Sequence, residues 1–209
     1  LFEGSIVNNA SVTGRSFVGG IVGEFTGAIA DAVNGDSATV AGTRAVGGIV
    51  GGVDSVNKTA ITSCENRGVV KYKAFENDTQ SLRGFSVTDR GATVHINGIG
   101  GIAGFIGASG VRIIDCKNYE CANEYRVDGS GANGVGGIVG FASVSDGGVS
   151  IEATVDAGTE NRGYVRGASF VGGIIGYANN VTIEADCRVN SNVTGDVAYT
   201  GGIAGKWIV

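Results

Sequence analysis

Proline and methionine are both absent from the 209 residues, and histidine and tryptophan occur once each. Collagen needs proline and a glycine at every third position. Here proline is missing and the 39 glycines are irregularly spaced, so a triple helix is excluded. No run of about 18 apolar residues occurs, so no membrane-spanning helix is expected. With His95 as the only histidine there is no HExxH signature, and the four cysteines show no CxxC spacing. A zinc centre therefore lacks its ligand set, and no metal or other cofactor is expected. Positive charge is also scarce: 15 Lys and Arg against 20 Asp and Glu give a net charge of −5, which disfavours nucleic acid as a partner. A hydrophobic content of 43% is too high for a disordered chain. The opening "LFEGSIVNNA" resembles neither an initiator segment nor a signal peptide.

What is present is repetition. "VGGIVG" occupies 18–23 and returns at 46–51 and 135–140, with "IGGIAG" at 99–104, "VGGIIG" at 171–176 and "TGGIAG" at 200–205. The GG pairs begin at 19, 47, 100, 136, 172 and 201, giving intervals of 28, 53, 36, 36 and 29. Self-similarity at such periods marks a solenoid, propeller or array. A second anchor precedes most of the pairs: Val12-Thr13-Gly14, Val40-Ala41-Gly42, Val127-Asp128-Gly129, Val165-Arg166-Gly167 and Val193-Thr194-Gly195. About ten residues after each pair comes a third short apolar piece, as in "AIADAV", "AITSCEN", "RIIDCKN", "SIEATV" and "TIEADC". No segment holds helical periodicity, and three short strands in about 28 residues fit a parallel β-helix coil better than a four-stranded propeller blade. The expected fold is all-β: a right-handed parallel β-helix of about six coils with GG corners, the hand following the crossover rule. It spans 1–209 as one domain, with an insertion at 73–97 within the second to third coil.

Glycine suits such corners because it reaches positive φ and permits close backbone approach. The next residue is always isoleucine (Ile21, Ile49, Ile102, Ile138, Ile174 and Ile203), predicting a ridge stacked about 4.8 Å apart inside the coil. The position after it is apolar too (Val22, Val50, Ala103, Val139, Ile175, Ala204). Strand alternation should turn that residue outward, which predicts a covered face or a lateral contact surface.

The combination of "VGGIVG" with "ITSCENRGVV" (61–70), "IIDCKN" (113–118) or "TENRGYVRG" (159–167) resembles the GLUG repeats of large bacterial surface proteins, among them some IgA-cleaving metalloproteases and adhesin-like proteins. The resemblance covers the chain except 73–97. It implies an extracellular, cell-surface setting and a role as stalk, spacer or adhesive array. Without HExxH, this chain would not be the catalytic part of a protease.

Cys64, Cys116 and Cys187 share one coil position with Ala32 and Val155, which reads as a small buried apolar slot. A disulfide remains the alternative, either Cys64 with Cys116 across coils or Cys116 with Cys121. Phe105, Phe141 and Tyr177 follow GGI at one position, and Phe17, Phe170 and Tyr199 precede it. Such rings are packing ladders or, if exposed, a carbohydrate platform. The insertion carries Lys73, Phe75, Arg83, Phe85, Asp89, Arg90 and His95, of which Phe75, Arg83, Phe85, Asp89, Arg90 and His95 are the candidate ligand-binding residues. "FSVTDRGATVHIN" reads as two strands around Asp89-Arg90-Gly91.

No catalytic residues are expected. Asp31, Asp115 and Asp186 share a coil position, but Ser63 and Thr154 interrupt the row, so the acids read as solvated faces rather than a catalytic pair. "VDGSGANG" (127–134) is a single echo of a calcium-binding β-roll, and the residues between Val and Gly are too irregular for an ice-binding face. The expected function is a non-catalytic structural or adhesive module with a host glycan or matrix protein as partner. A polysaccharide-binding or polysaccharide-degrading β-helix is one alternative. The other is a self-assembling filament subunit whose partners are neighbouring repeats or copies of itself, because open solenoid ends expose unpaired strand edges.

Overall fold

The computed structural model describes residues 6–54, 59–76, 85–120, 125–144, 153–155, 158–184 and 187–208. Among them every regular element is a strand, and nearly all pairing is parallel between successive coils, as in a parallel β-helix. Six coils stack. Sheet I contains Ile6–Asn8, Ala32–Asn34, Glu65–Asn66, Lys117–Asn118, Glu160–Asn161 and Arg188–Val189. Sheets II and III begin with the pairs Val12–Thr13 with Ser16–Gly19 and Thr39–Gly42 with Arg44–Gly47. In the later coils the long strands Val127–Gly136, Val165–Gly172 and Val193–Gly201 run through both. Sheet IV stacks Val22–Glu24, Val50–Val53, Ala103–Ile106, Val139–Ser143, Ile175–Asn179 and Ala204–Ile208. Sheet V stacks Ala28–Ala30, Ala60–Thr62, Arg112–Ile114, Ala153–Val155 and Val181–Ile183.

Each of the first three coils therefore has five short segments where the sequence predicts three, and in the later coils the segments of sheets II and III merge into one long strand. "AIADAV" is split by Asp31, whose φ of 55° turns the chain from sheet V into sheet I; Ser63 and Asp115 do the same at 51° and 48°. The GGI piece is split at its own corner between sheets III and IV.

The GG pair turns that corner without positive φ, since none of its twelve glycines lies in the left-handed region. Close approach is the reason for glycine. The second glycine of the first five pairs lies against the GG carbonyl of the next coil, and in the first four it also faces an asparagine there. A Cβ on Gly20, Gly48 or Gly101 would lie 2.9, 2.5 or 2.7 Å from Cγ of Asn34, Asn66 or Asn118. Those asparagines form a buried ladder. Each Nδ2 donates to the Oδ1 of the next, from Asn8 to Asn34 (2.9 Å), Asn66 (2.8 Å), Asn118 (2.7 Å) and Asn161 (2.7 Å), and Asn161 donates to Ser191 Oγ (3.0 Å). A buried amide is costly unless it is satisfied, and the stack satisfies each with the next.

Two apolar columns fill the interior. One holds Ile29, Ile61 and Ile113 with Ile49, Ile102, Ile138 and Ile174. The other is a valine column on sheets II and III, registered as Val12, Val40, Val70, Val127, Val165 and Val193. The isoleucine column is hydrogen-bonded through its backbone, Ile49 N donating to Ile102 O (3.1 Å) and Ile138 N to Ile174 O (3.0 Å). Ile21 is half-buried and Ile203 is exposed, because each lies in an end coil. The apolar residue after each isoleucine is neither a covered outer face nor a lateral contact. Val50, Ala103, Val139 and Ile175 enter the same column, because the corner falls between the two positions and cancels the alternation.

Asn118→Ala leaves Asn66 Nδ2 and Asn161 Oδ1 without their buried partner and should cost about 2–4 kcal/mol in chemical denaturation. Gly101→Ala should prevent native folding, since its Cβ would meet Asn118 and the Gly137 carbonyl. Gly202→Ala, which meets nothing within 4 Å, should leave the midpoint unchanged.

Candidate functional site

The residue two before each GG pair turns left-handed in every coil: Phe17, Ala45, Gly98, Gly134, Phe170 and Tyr199 have φ of 51°, 50°, 70°, 74°, 54° and 56°. Rung pairing skips this residue, as between Ser16↔Arg44 and Val18↔Val46. The kink throws its side chain off the interior, onto the outer flank where sheets III and IV meet. There Phe105, Phe141 and Tyr177 of sheet IV join Phe170 in a cluster separate from both interior columns. Ring centroids lie 5.6 Å apart for Phe105–Phe141, 5.3 Å for Phe141–Tyr177 and 5.0 Å for the stacked Phe170–Tyr199 pair.

An outer aromatic ledge requires a cover, and the insertion supplies it. Phe85–Asp89 and Ala92–Ile96 form an antiparallel hairpin whose turn residues, Arg90 and Gly91, both have positive φ, as the tightest hairpin turns demand. Its inner face lies on the ledge. Phe85 stacks on Phe105 at 3.6 Å and meets Phe17 edge-on at 6.3 Å, with the Arg44 guanidinium 5.8 Å from its ring. Ile96 fills the space over Gly134, whose added Cβ would come within 2.5 Å of Ile96 Cγ2. At the hairpin base Asn97 Nδ2 donates to Thr43 O (3.0 Å) and Asn133 Nδ2 to His95 O (3.0 Å).

The hairpin tip is latched to the last coil. Asp89 accepts from the Tyr199 hydroxyl (2.7 Å) and the Lys206 ammonium (2.5 Å), while the Arg90 guanidinium lies 5.3 Å from the Tyr199 ring. Lys206, and then Tyr199, hold the Asp89 carboxyl below its ordinary pKa, and Asp89 in turn raises that of Tyr199.

The candidate residues thus separate. Phe85 and Asp89 are engaged in the inner face and latch, while Arg90 and His95 are exposed on the outer one. Phe75 is not on the hairpin. It is half-buried between Lys73 Nζ (5.1 Å from the ring) and the Arg15 guanidinium (5.2 Å). Arg83 lies outside the described residues. The rings of Phe105 (5% exposed), Phe141 (3%), Tyr177 (4%) and Phe170 (1%) are too buried to serve as a carbohydrate platform.

Cys64 and Cys116 are buried free thiols, and burial pushes the Cys116 thiol well above its ordinary pKa. Cys187 is only half-buried, because it lies in the last coil. The register puts Thr159 in that column in place of Val155, since Glu160 pairs with Lys117 and Val155 pairs with Ile113 in sheet V. Thr154 likewise leaves the acidic row, pairing with Arg112. Cys121 and Asp186 lie outside the described residues.

On the outer face of sheet I, Glu65, Lys117, Glu160 and Arg188 stack with alternating charge. One residue beyond that sheet, the Tyr119 ring has the guanidinium of Arg67 on one side (5.2 Å) and of Arg162 on the other (5.8 Å). Arg67 pairs with Glu65 (2.6 Å), and Arg162 pairs with Glu160 (2.8 Å) and lowers its pKa. No group of three metal-ligating side chains occurs among the described residues. Neither the asparagine ladder nor this charge ladder figured among the sequence-based candidates. The recurrent asparagine at 34, 66, 118 and 161 was the available signal.

Comparisons of the chain with known family models, with curated proteins and with solved structures found no match. The class that can be stated is that of a parallel β-solenoid with one flank clamped by an inserted hairpin.

Two outcomes follow. Because Asp89 titrates below its unfolded value, the latch should be fully formed above the ordinary carboxylate range and lost as pH falls through the lowered folded value. Near-UV circular dichroism of the aromatic flank should record that acid transition in the wild type, and Asp89→Asn should abolish it. In native alkylation followed by peptide mapping, Cys187 should react well before Cys64 and Cys116.

Proposed function

We propose that the chain is a non-catalytic structural or adhesive module of an extracellular, bacterial surface protein of the GLUG-repeat kind, a rigid rod section that also presents a contact patch. The observation that carries this reading is the engagement of the chemistry-bearing side chains in holding coils together. Asp89 is occupied by Tyr199 and Lys206, Glu160 by Arg162 and Asn190, and Glu65 by Arg67 and Tyr119. Glycan hydrolysis needs two carboxylates facing one another across a substrate; Glu65 and Glu160 stack on sheet I with Lys117 between them and each is paired with its own arginine, while Asp89 is held in the hairpin latch.

An adhesive role has its best support at Arg15, Lys73 and Phe75. A half-buried ring flanked by two cations, with Lys73 and Arg15 themselves exposed, suits an acidic glycan that stacks one sugar face and pairs its carboxylate or sulfate. On an array of acidic and neutral host glycans and matrix proteins, binding should concentrate on acidic glycans. Arg15→Ala/Lys73→Ala should reduce it at least tenfold with the circular dichroism spectrum unchanged. Binding that survives the double variant removes this patch from the reading, and no binding by the wild type leaves the rod role alone.

A further inference from the structure

Two fully buried thiols, Cys64 and Cys116, belong to neither the ladders nor the contact patch. On both sides of them the two coils are in register without a bulge: Ile61 pairs with Ile113 and Thr62 with Ile114 before them, Glu65 with Lys117 and Asn66 with Asn118 after them. The residues just before them, Ser63 and Asp115, make the same left-handed turn, at φ of 51° and 48°. The cysteines therefore leave equivalent corners one rung apart. A rung spacing of about 4.8 Å falls within the Cα separation of roughly 4.4–6.8 Å that disulfides span. Both sulfurs lie over adjacent carbonyls of Ala60–Thr62. Cys116 Sγ donates to Ile61 O (3.3 Å) and Ile114 O (3.4 Å), and Cys64 Sγ to Thr62 O (3.3 Å) and, at 3.9 Å, Ile29 O. The thiols also interact with one another: a hydrogen bond from Cys116 lowers the Cys64 pKa, while burial, and then the contact with Cys64, raises that of Cys116. Their other neighbours in the column are Ala32 and Thr159, and Cys187 lies beyond Thr159, so no other described cysteine is adjacent to either.

We infer that Cys64 and Cys116 are an oxidative cross-linking site, forming a disulfide between successive coils that closes residues 64–116, the third coil with its inserted hairpin, into a covalent ring. The chemistry is thiol–disulfide exchange with a low-molecular-weight disulfide as the oxidant. One protein thiolate attacks a donor sulfur and expels a donor thiolate, leaving a mixed disulfide. The second protein thiolate then attacks the protein sulfur of that mixed disulfide and expels the other donor thiolate. Two protein thiols become one disulfide, the donor disulfide is reduced to two thiols, and the two protons pass from the protein thiols to the donor thiolates through solvent. Because both side chains are buried, the donor reaches them only when the coils open, and the closed ring shields the finished bridge from reductants. The ring encloses the strand ends from which the hairpin leaves, so the bridge fixes the base of the element that clamps the aromatic flank. Tying a long loop narrows the unfolded ensemble, which stabilises the folded rod.

The test incubates the purified, reduced chain with oxidised glutathione in urea just below its unfolding midpoint, then blocks free thiols and maps peptides without reduction. A peptide joining Cys64 to Cys116 with the loss of two hydrogens is expected, and the urea midpoint should rise by about 1 M or more over that of the reduced chain. Cys64→Ala/Cys116→Ala, a change the column accepts at Ala32, should fold with one midpoint in either redox state. Cys121→Ser/Cys187→Ser should form the bridge as the wild type does. Thiols at 64 and 116 that are still alkylated after denaturation overturn the inference. So does a bridge from either to Cys121 or Cys187, or an oxidised chain no more stable than the reduced one. No readout involves a glycan or a cell surface, so this inference and the proposed function fail separately.

Discussion

The asparagine ladder is the constraint on which the coil depends. A buried primary amide has two donors and an acceptor to satisfy, and in a parallel stack the adjacent rung presents the same group at about 4.8 Å, so each amide bridges to the next. The bond works only if the backbone opposite the amide lies almost against it. Close approach, rather than a special dihedral angle, selects the second glycine of the GG pair: an added Cβ would meet the GG carbonyl of the next coil in five coils and would fall within 3 Å of the amide carbon at Gly20, Gly48 and Gly101. Once the amide and glycine are in register, the isoleucine that follows sits at one height in every coil and the valine column falls into line. The polar ladder thereby fixes what hydrophobic stacking alone leaves free, namely the rung-to-rung register.

The outer flank follows from a different local choice. A left-handed residue two before each GG pair turns a side chain outward, and three of the six positions carry an aromatic ring. Glycine or alanine at the other three leaves recesses, and the hairpin uses them: Phe85 lies among Phe17, Phe105 and Phe141, while Ile96 sits over Gly134. One insertion thus covers a ledge assembled from several coils. Its sequence explains its mixed character, since the alternate residues Phe85, Val87 and Asp89 face the rod and Ser86 and Thr88 face away.

The repeat made the parallel stack, the isoleucine column and the two-stranded insertion legible, because each depends on residue types recurring at fixed spacing. The asparagine ladder was not legible, since its residues adjoin charged ones in "CENRG" and "CKN" and single-chain patterning does not distinguish a loop asparagine from a ladder asparagine. The residue after isoleucine was assigned outward because alternation assumes a straight strand, whereas the corner lies between Ile49 and Val50. The aromatic residues of the insertion were assigned to ligand binding because density of rings and charges marks an exposed loop. Here Phe85 belongs to the inner face of a cover, and its fate depends on Phe105 and Phe141, which lie beyond the hairpin and register with each other 36 residues apart.

A solenoid whose coils touch only their neighbours loses cooperativity with length, since each interface can open with little effect on distant ones. The hairpin alters that arithmetic. It leaves the chain within the third coil, between Val69–Tyr72 and Ile99–Gly100, yet its inner ring touches Phe17 of the first and its tip carboxylate holds Tyr199 and Lys206 of the last. Opening the last coil must break the Asp89 latch, and opening the first must withdraw Phe17 from Phe85. Both ends are coupled to one element, which favours unfolding of the six coils as a unit. A rod that transmits load or position along its axis needs that coupling, and here it runs along the aromatic flank outside the hydrogen-bonded core.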